Sequence, residues 1–260
     1  MTIARERYGF ADAAQMEWIK LRSLRSTWWL VAAALGAMVA AGAGVGFGYR
    51  GHTPTASMDQ IVDNSLGGAV LAQLFVGALG VMVVTGEYSS GTIRSTLAAV
   101  PRRGVVLAAK AAVQGATAAV VGLVASLAGF VAGQLAIAGT AIPPASLGDG
   151  EILRAVLLTG VYLGAIGLIG VGIGAVVRHT GGAVGTLFGL LFVPMIMGAM
   201  FGQGGIAVMR FVPLLMLLNS IAVRTPVPGT LPAWGSTLVM CLYAAVAVGL
   251  GAAVLRRRDA

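Results

Sequence analysis

The sequence predicts an all-α, polytopic membrane protein: six transmembrane helices, an amphipathic interfacial helix at the N-terminus, and a re-entrant or short-helix segment before the last span. Three observations carry that prediction. Of 260 residues, 58% are hydrophobic and 10% charged, with a mean hydropathy of +0.91, whereas an average soluble domain carries about 25% charged residues. The apolar residues fall into six runs, each near the roughly 20 residues that a helix needs to cross hydrocarbon. The basic residues, finally, segregate to alternate connections between those runs.

The first element is 10–27, FADAAQMEWIKLRSLRST. At helical periodicity Phe10, Ala14, Leu21, Leu24 and Trp28 form a stripe with Trp18 at its edge, while Asp12, Gln15, Arg22 and Ser23 lie away from it. Such a helix rests on a membrane surface with Lys and Arg available to anionic headgroups. Glu17 falls inside the apolar stripe, so it either faces a partner on another element or snorkels to water.

The expected spans are 28–49, 66–85, 111–139, 152–177, 183–201 and 234–255. They do not alternate polar and apolar residues as barrel strands do. The first run is too long, and too far from the N-terminus, for a cleaved signal peptide. A seventh apolar stretch, 206–223, contains Arg210, Pro213 and Asn219, and Arg alone costs about 2.5–3.5 kcal/mol at a helix centre. With six spans, 13 of the 17 Lys and Arg residues share one side with both termini, leaving Arg50, Arg154, Arg210 and Arg224 on the other. The positive-inside rule then puts both termini in the cytoplasm, and 206–223 reads as a pair of short helices broken near Pro213. The whole chain, 1–260, reads as a single transmembrane domain.

The 39 glycines include pairs four residues apart, Gly160/Gly164, Gly170/Gly174 and the series Gly181, Gly185 and Gly189. This spacing suits close helix packing, although it also arises by chance at this density. Gln73, Gln114 and Gln134 are the notable polar residues within spans and read as hydrogen-bonding neighbouring helices. Asp59 and Asp63, one turn apart in a connection, read as solvated rather than metal-bound. The single cysteine, Cys241, excludes an internal disulfide.

Enzymatic motifs do not emerge. Neither Lys20 nor Lys110 follows a glycine as a P-loop lysine must, neither His52 nor His179 opens an H-E-x-x-H, and no serine has a glycine two residues before it. Coupled carriers place an ionisable group near mid-membrane, and none of the six runs has a central Asp, Glu, Lys or His. The net charge of +8 is spread over connections rather than over a soluble basic face, which excludes nucleic acid as the partner.

The connection 86–110 carries the most information. Ile93, Leu97 and Val100 line one face of a short helix, with Arg94, Ser95 and Ala98 facing away and Pro101 ending it. An apolar ridge there is expected to rest on lipid or dock into a partner's groove.

Gly86-Glu87-Tyr88-Ser89-Ser90-Gly91-Thr92, followed by Leu97, Pro101, Arg102, Arg103 and Lys110, resembles the cytoplasmic signature of ABC type-2 transporter permeases. Glu17-Trp18-Ile19-Lys20-Leu21 through Trp28-Trp29 is similar to the connecting helix of that family, especially its actinobacterial members. The resemblance implies a permease subunit of the bacterial plasma membrane that exports a hydrophobic or amphipathic substrate. It implies an ABC ATPase subunit and a second permease copy or homologue as partners besides the lipid bilayer. ATP and magnesium would lie on the ATPase, with no cofactor in this chain. The implied coupling residues are Glu87, Gly91, Thr92, Ile93, Arg94, Leu97, Pro101 and Arg102, and those of the connecting helix are Glu17, Trp18, Lys20 and Leu21. An ATP-independent channel or secondary carrier is the alternative. An intramembrane enzyme ranks third, for want of a nucleophile or metal constellation.

Overall fold

The structure, a computed structural model, describes residues 9–49, 57–100, 102–140, 142–200, 209–224 and 229–257. Among these residues every regular element is a helix. In chain order they are α1 (Phe10–Ser23), α2 (Arg25–Gly48), α3 (Met58–Leu66), α4 (Ala69–Ser89), α5 (Ile93–Ala99), α6 (Arg103–Ile137), α7 (Gly150–Val177), α8 (Thr180–Met200), α9 (Pro213–Ile221) and α10 (Ala233–Arg257). Six stretches are long and apolar enough to span a membrane: α2, the continuous α3–α4 stretch, α6, α7, α8 and α10.

Helix ends follow local chemistry. Asp12 accepts the Gly9 N–H at the start of α1 at 2.8 Å, placing a carboxylate on the positive end of the helix dipole. Leu24 is extended between α1 and α2, which turns the surface helix into the first span. Ser57 and Gln60 form a reciprocal capping box on α3, and Asp149 caps α7. Arg178 ends α7 in a left-handed conformation (φ 60°), with its guanidinium 5.1 Å from the centre of the Tyr88 ring.

The spans differ in burial, and that difference defines the layout. The most apolar stretch of α7 is 78% buried, against 22% in α2, α8 and α10. α7 is therefore the axis, packed against α4, α6 and α10, and the outer helices carry the lipid-facing surface. Glycine makes the axis possible. A Cβ on Gly160 would lie 2.9 Å from the Leu123 backbone of α6, one on Gly164 3.2 Å from Ala119, and one on Gly174 3.0 Å from the Val81 carbonyl of α4. The first two glycine pairs thus serve packing within the chain, whereas Gly185 and Gly189 face open space.

Side-chain hydrogen bonds join the axis to its neighbours. The buried Tyr162 hydroxyl lies within donating distance of Gln73 Oε1 (2.8 Å) on α4 and the Pro213 carbonyl (3.1 Å) at the start of α9. Gln134 accepts the Ala145 N–H at 2.8 Å. Pro213 opens α9 rather than interrupting a longer helix. The N-terminal part of the expected short-helix pair, 206–208, lies outside the described residues.

The connection expected over 86–110 is shorter in space than in sequence. α4 continues to Ser89 and α6 already begins at Arg103, so the connection consists of two protruding span ends with the 7-residue α5 between them. With 35 residues, α6 is about 52 Å long, well beyond the roughly 30 Å of a hydrocarbon core.

Candidate functional site

Four ionisable side chains meet at the basic end of the bundle. Glu17 and Lys20 sit one turn apart on α1, Glu87 in the last turn of α4, and Lys110 two turns into α6. Lys110 Nζ is 2.7 Å from Glu17 Oε2 and 2.8 Å from Glu87 Oε1, while Lys20 Nζ is 3.0 Å from Glu17 Oε1 and 2.6 Å from Glu87 Oε1. Acid and base alternate around a closed square of zero net charge.

The hydrogen-bond count closes as well. An ammonium group has three protons to donate. Lys110 directs its three to Glu17, Glu87 and the Val83 carbonyl at 3.3 Å. Lys20 directs its three to Glu17, Glu87 and Thr96 Oγ1 at 3.3 Å. Through Thr96 the square reaches α5, so one polar knot ties α1, α4, α5 and α6 together.

Burial gives the knot its energy. The Lys110 side chain is 2% exposed, Glu17 4% and Glu87 9%, whereas Lys20 is 38% exposed. Desolvating ions costs several kcal/mol each, which mutual attraction offsets only with good geometry and full hydrogen bonding. The square meets the first condition, and the second for every ammonium proton, while Glu87 Oε2 is left without a protein partner. Burial pushes the Lys20 ammonium pKa down, but hydrogen bonds and charge from Glu87 and Glu17 outweigh it and hold the group above its ordinary 10.5.

A cavity of about 470 Å³ adjoins the square, with Ser90, Thr92, Ser95, Thr96 and Gln114 in its wall. Gln114 is fully buried, and neither of its amide atoms has a protein hydrogen-bond partner; nor does Glu87 Oε2. The expectation that Gln114 hydrogen-bonds a neighbouring helix is thus corrected.

The residues singled out in the sequence divide in two. Glu17, Lys20 and Glu87 converge in the square. Leu21 is buried beside it, and Trp18 is 48% exposed on the outer side of α1. Gly91 makes the turn from α4 to α5 at φ +73°, and Thr92 precedes α5, its hydroxyl 2.9 Å from that of Ser90. Arg94 and Arg102 are exposed. Of the expected apolar ridge, Ile93 is 6% exposed and Val100, just beyond α5, 1%, so these two side chains lie against their own chain and not at the surface. The Leu97 side chain and Pro101 lie outside the described residues. Among the described side chains of α5, Arg94, Ser95 and Ala98 are exposed.

Lys110 is the residue of the square that sequence reasoning undervalued: it stands there at the end of the signature and among the basic residues of a connection, with no partner assigned. Its signal is present in the sequence all the same. A lone lysine within VVLAAKAAV, a glutamate within an apolar stripe and a glutamate at a span end each need a partner.

A second polar cluster closes the opposite end. Arg224 pairs with Asp59 at 2.8 Å and with Asp149, and Asp63 accepts the Val223 N–H at 2.8 Å. Arg154 donates to the carbonyls of Ala222 (2.8 Å) and Val223 (2.7 Å). Asp59 and Asp63 therefore hold the segment after α9 and are not left solvated. Among the described residues no three His, Cys, Asp or Glu side chains converge as a metal site would require.

Six apolar spans, a surface helix at one end and a polar knot joining it to the spans define an all-α polytopic membrane protein. The sequence profile described as ABC-2 family transporter protein matches residues 13–166, a stretch that contains all five residues of the knot, and the chain belongs to that family. No curated protein matches it.

Proposed function

We propose that the chain is the permease subunit of an ATP-driven exporter, with both termini and the α5 end in the cytoplasm of a bacterial cell and ATP hydrolysed on a separate ATPase subunit. A second permease copy or homologue completes the path, and the cargo is hydrophobic or amphipathic. The observation that carries this reading is the knot. α5 is a short helix outside the spans, yet Thr96 links it to the charge square that grips α1, α4 and α6. A push on α5 therefore reaches two spans and the surface helix at once, as a rigid-body coupling element requires.

The outward face of α5 sets the chemistry of the partner. Arg94 on α5 and Arg102 just before α6 are exposed, so the docking groove on the ATPase carries acidic residues facing them. The spans contribute no central charge, which suits an apolar cargo.

The test is co-expression with a candidate ABC ATPase subunit. Arg94→Glu with Arg102→Glu should leave membrane insertion intact, remove ATPase co-purification and stop transport. Transport by the purified permease without any ATPase would instead identify a channel or secondary carrier.

A further inference from the structure

A groove of about 710 Å³ runs between α1, α2 and α6, away from the charge square. Phe10, Ala14 and Trp18 of α1 form one wall, and α6 from Ala112 to Val121 forms the floor. Its surface is almost entirely apolar, and it is not closed over: Trp18 is 48% exposed, Trp28 58% and Val120 61%. The floor rises over the nine steps from Ala112 to Val121 of α6, roughly 14 Å at 1.5 Å per residue. That is close to half of a hydrocarbon core about 30 Å thick, or one leaflet.

The mouth differs from the floor. Arg22 lines it, and Arg25 follows at the start of α2. Both are exposed, and among the described residues no acidic side chain pairs with either. No side chain caps the N-terminus of α2, so its first N–H groups and the positive end of its dipole face the same corner. Trp28 Nε1 donates to the Arg22 carbonyl at 3.1 Å and holds the elbow in shape, and tryptophan is a residue type enriched at the headgroup level.

We propose that this groove is a discrete site for one anionic phospholipid of the adjoining leaflet, its acyl chain lying along α6 and its phosphate held by Arg22, Arg25 and the start of α2. Length matches one leaflet, the floor matches an acyl chain, and the unpaired cations match a phosphate. A lipid held there wedges α1 against α6 on the side opposite the square. The inference concerns α1 as a lipid-binding element and stands whether or not an ATPase docks on α5.

The test uses the full chain, delipidated and titrated with dioleoylphosphatidylglycerol or dioleoylphosphatidylcholine under native mass spectrometry. Wild type should retain one phosphatidylglycerol in preference to phosphatidylcholine. Arg22→Gln with Arg25→Gln should weaken phosphatidylglycerol retention roughly tenfold or more, the loss of a charge-assisted hydrogen bond, and leave phosphatidylcholine unchanged. Ala116→Trp, which fills the floor, should abolish the adduct. Equal retention of both lipids by wild type, or undiminished retention by Ala116→Trp, overturns the proposal. So does a shift from dimer to monomer in Ala116→Trp without loss of lipid, which would make the groove a contact between copies.

A second measurement does not depend on Ala116→Trp folding. With Trp29→Phe and Trp234→Phe in place, Trp18 and Trp28 remain as the fluorophores, in equimolar phosphatidylglycerol and phosphatidylcholine vesicles. Acyl-brominated phosphatidylglycerol should quench them more than acyl-brominated phosphatidylcholine at the same content. Equal quenching refutes the site.

Discussion

Lys110→Met is the most informative single perturbation of this chain. The substitution keeps an unbranched side chain only one atom shorter and removes its charge, leaving Glu17 and Glu87, both nearly buried, to share Lys20 alone. Stripping one partner from a buried ion pair costs about 3–5 kcal/mol, or roughly two to four orders of magnitude in the folded population. Reversible unfolding in SDS should show that loss. Glu17→Gln alone should be destabilising for the complementary reason, because Lys110 then keeps Glu87 as its only acid. The double mutant restores charge balance, with Lys20 and Glu87 still paired at 2.6 Å, so it should be more stable than the two losses predict by about 1.5–3 kcal/mol. If the losses add to within about 0.5 kcal/mol, the four residues are not an energetic unit and the square is a coincidence of packing.

Four further outcomes are expected. Gln114→Leu, which removes a buried amide lacking protein partners, should be neutral or stabilising by about 1–3 kcal/mol in the same unfolding assay, the opposite of Lys110→Met four residues away. Gly174→Leu should lower the unfolding midpoint by forcing α4 from α7, since a Cβ there already meets the Val81 carbonyl at 3.0 Å; Gly185→Ala, with nothing within 4 Å, should not lower it. Because the pKa of Lys20 is raised in the folded state, its contribution is complete below pH 10.5 and lost as pH rises beyond the folded value; cysteine accessibility at Ala13 should rise only in that alkaline range. Reporter fusions after Ala260 and at Gly148 should lie on opposite sides of the membrane, and identical signals would break the six-span topology.

Composition and run length made the spans legible because crossing a bilayer is an averaged property. A helix needs about 20 apolar residues, whichever they are, so 152–177 and α7 agree almost to the residue. Side-chain partners are not averaged, and there the sequence was less informative. Periodicity put Ile93 and Val100 on one face of a short helix but had no means of saying that the chain itself would cover them. Glu17 announced the need for a partner by interrupting an apolar stripe, but identifying Lys110, 93 residues away, required knowing that α1 folds back onto α6. Asp59 and Asp63 misled for the same reason, since Val223 and Arg224 reach them across about 160 residues.

Why α1 is held by charges rather than by apolar packing follows from what the two contacts do when strained. Hydrophobic replacement of a buried ion pair is often neutral or stabilising by about 1–4 kcal/mol, so stability alone does not favour the square. Apolar packing tolerates sliding, because one methyl group substitutes for another. The square does not: of its six ammonium hydrogen bonds three leave α1, Lys110 to Glu17, Lys20 to Glu87 and Lys20 to Thr96, and a displacement of α1 along α6 by one turn, about 5.4 Å, breaks all three and takes the buried Glu17 away from Lys110. Under the proposed function, α5 must transmit a push without slipping, and a contact with a single permitted register meets that need. Reversing all four charges at once, Glu17→Lys, Lys20→Glu, Glu87→Lys and Lys110→Glu, preserves the alternation and should recover part of the transport that any single reversal abolishes. If the fourfold reversal is no better than the single ones, register is set by packing rather than by charge.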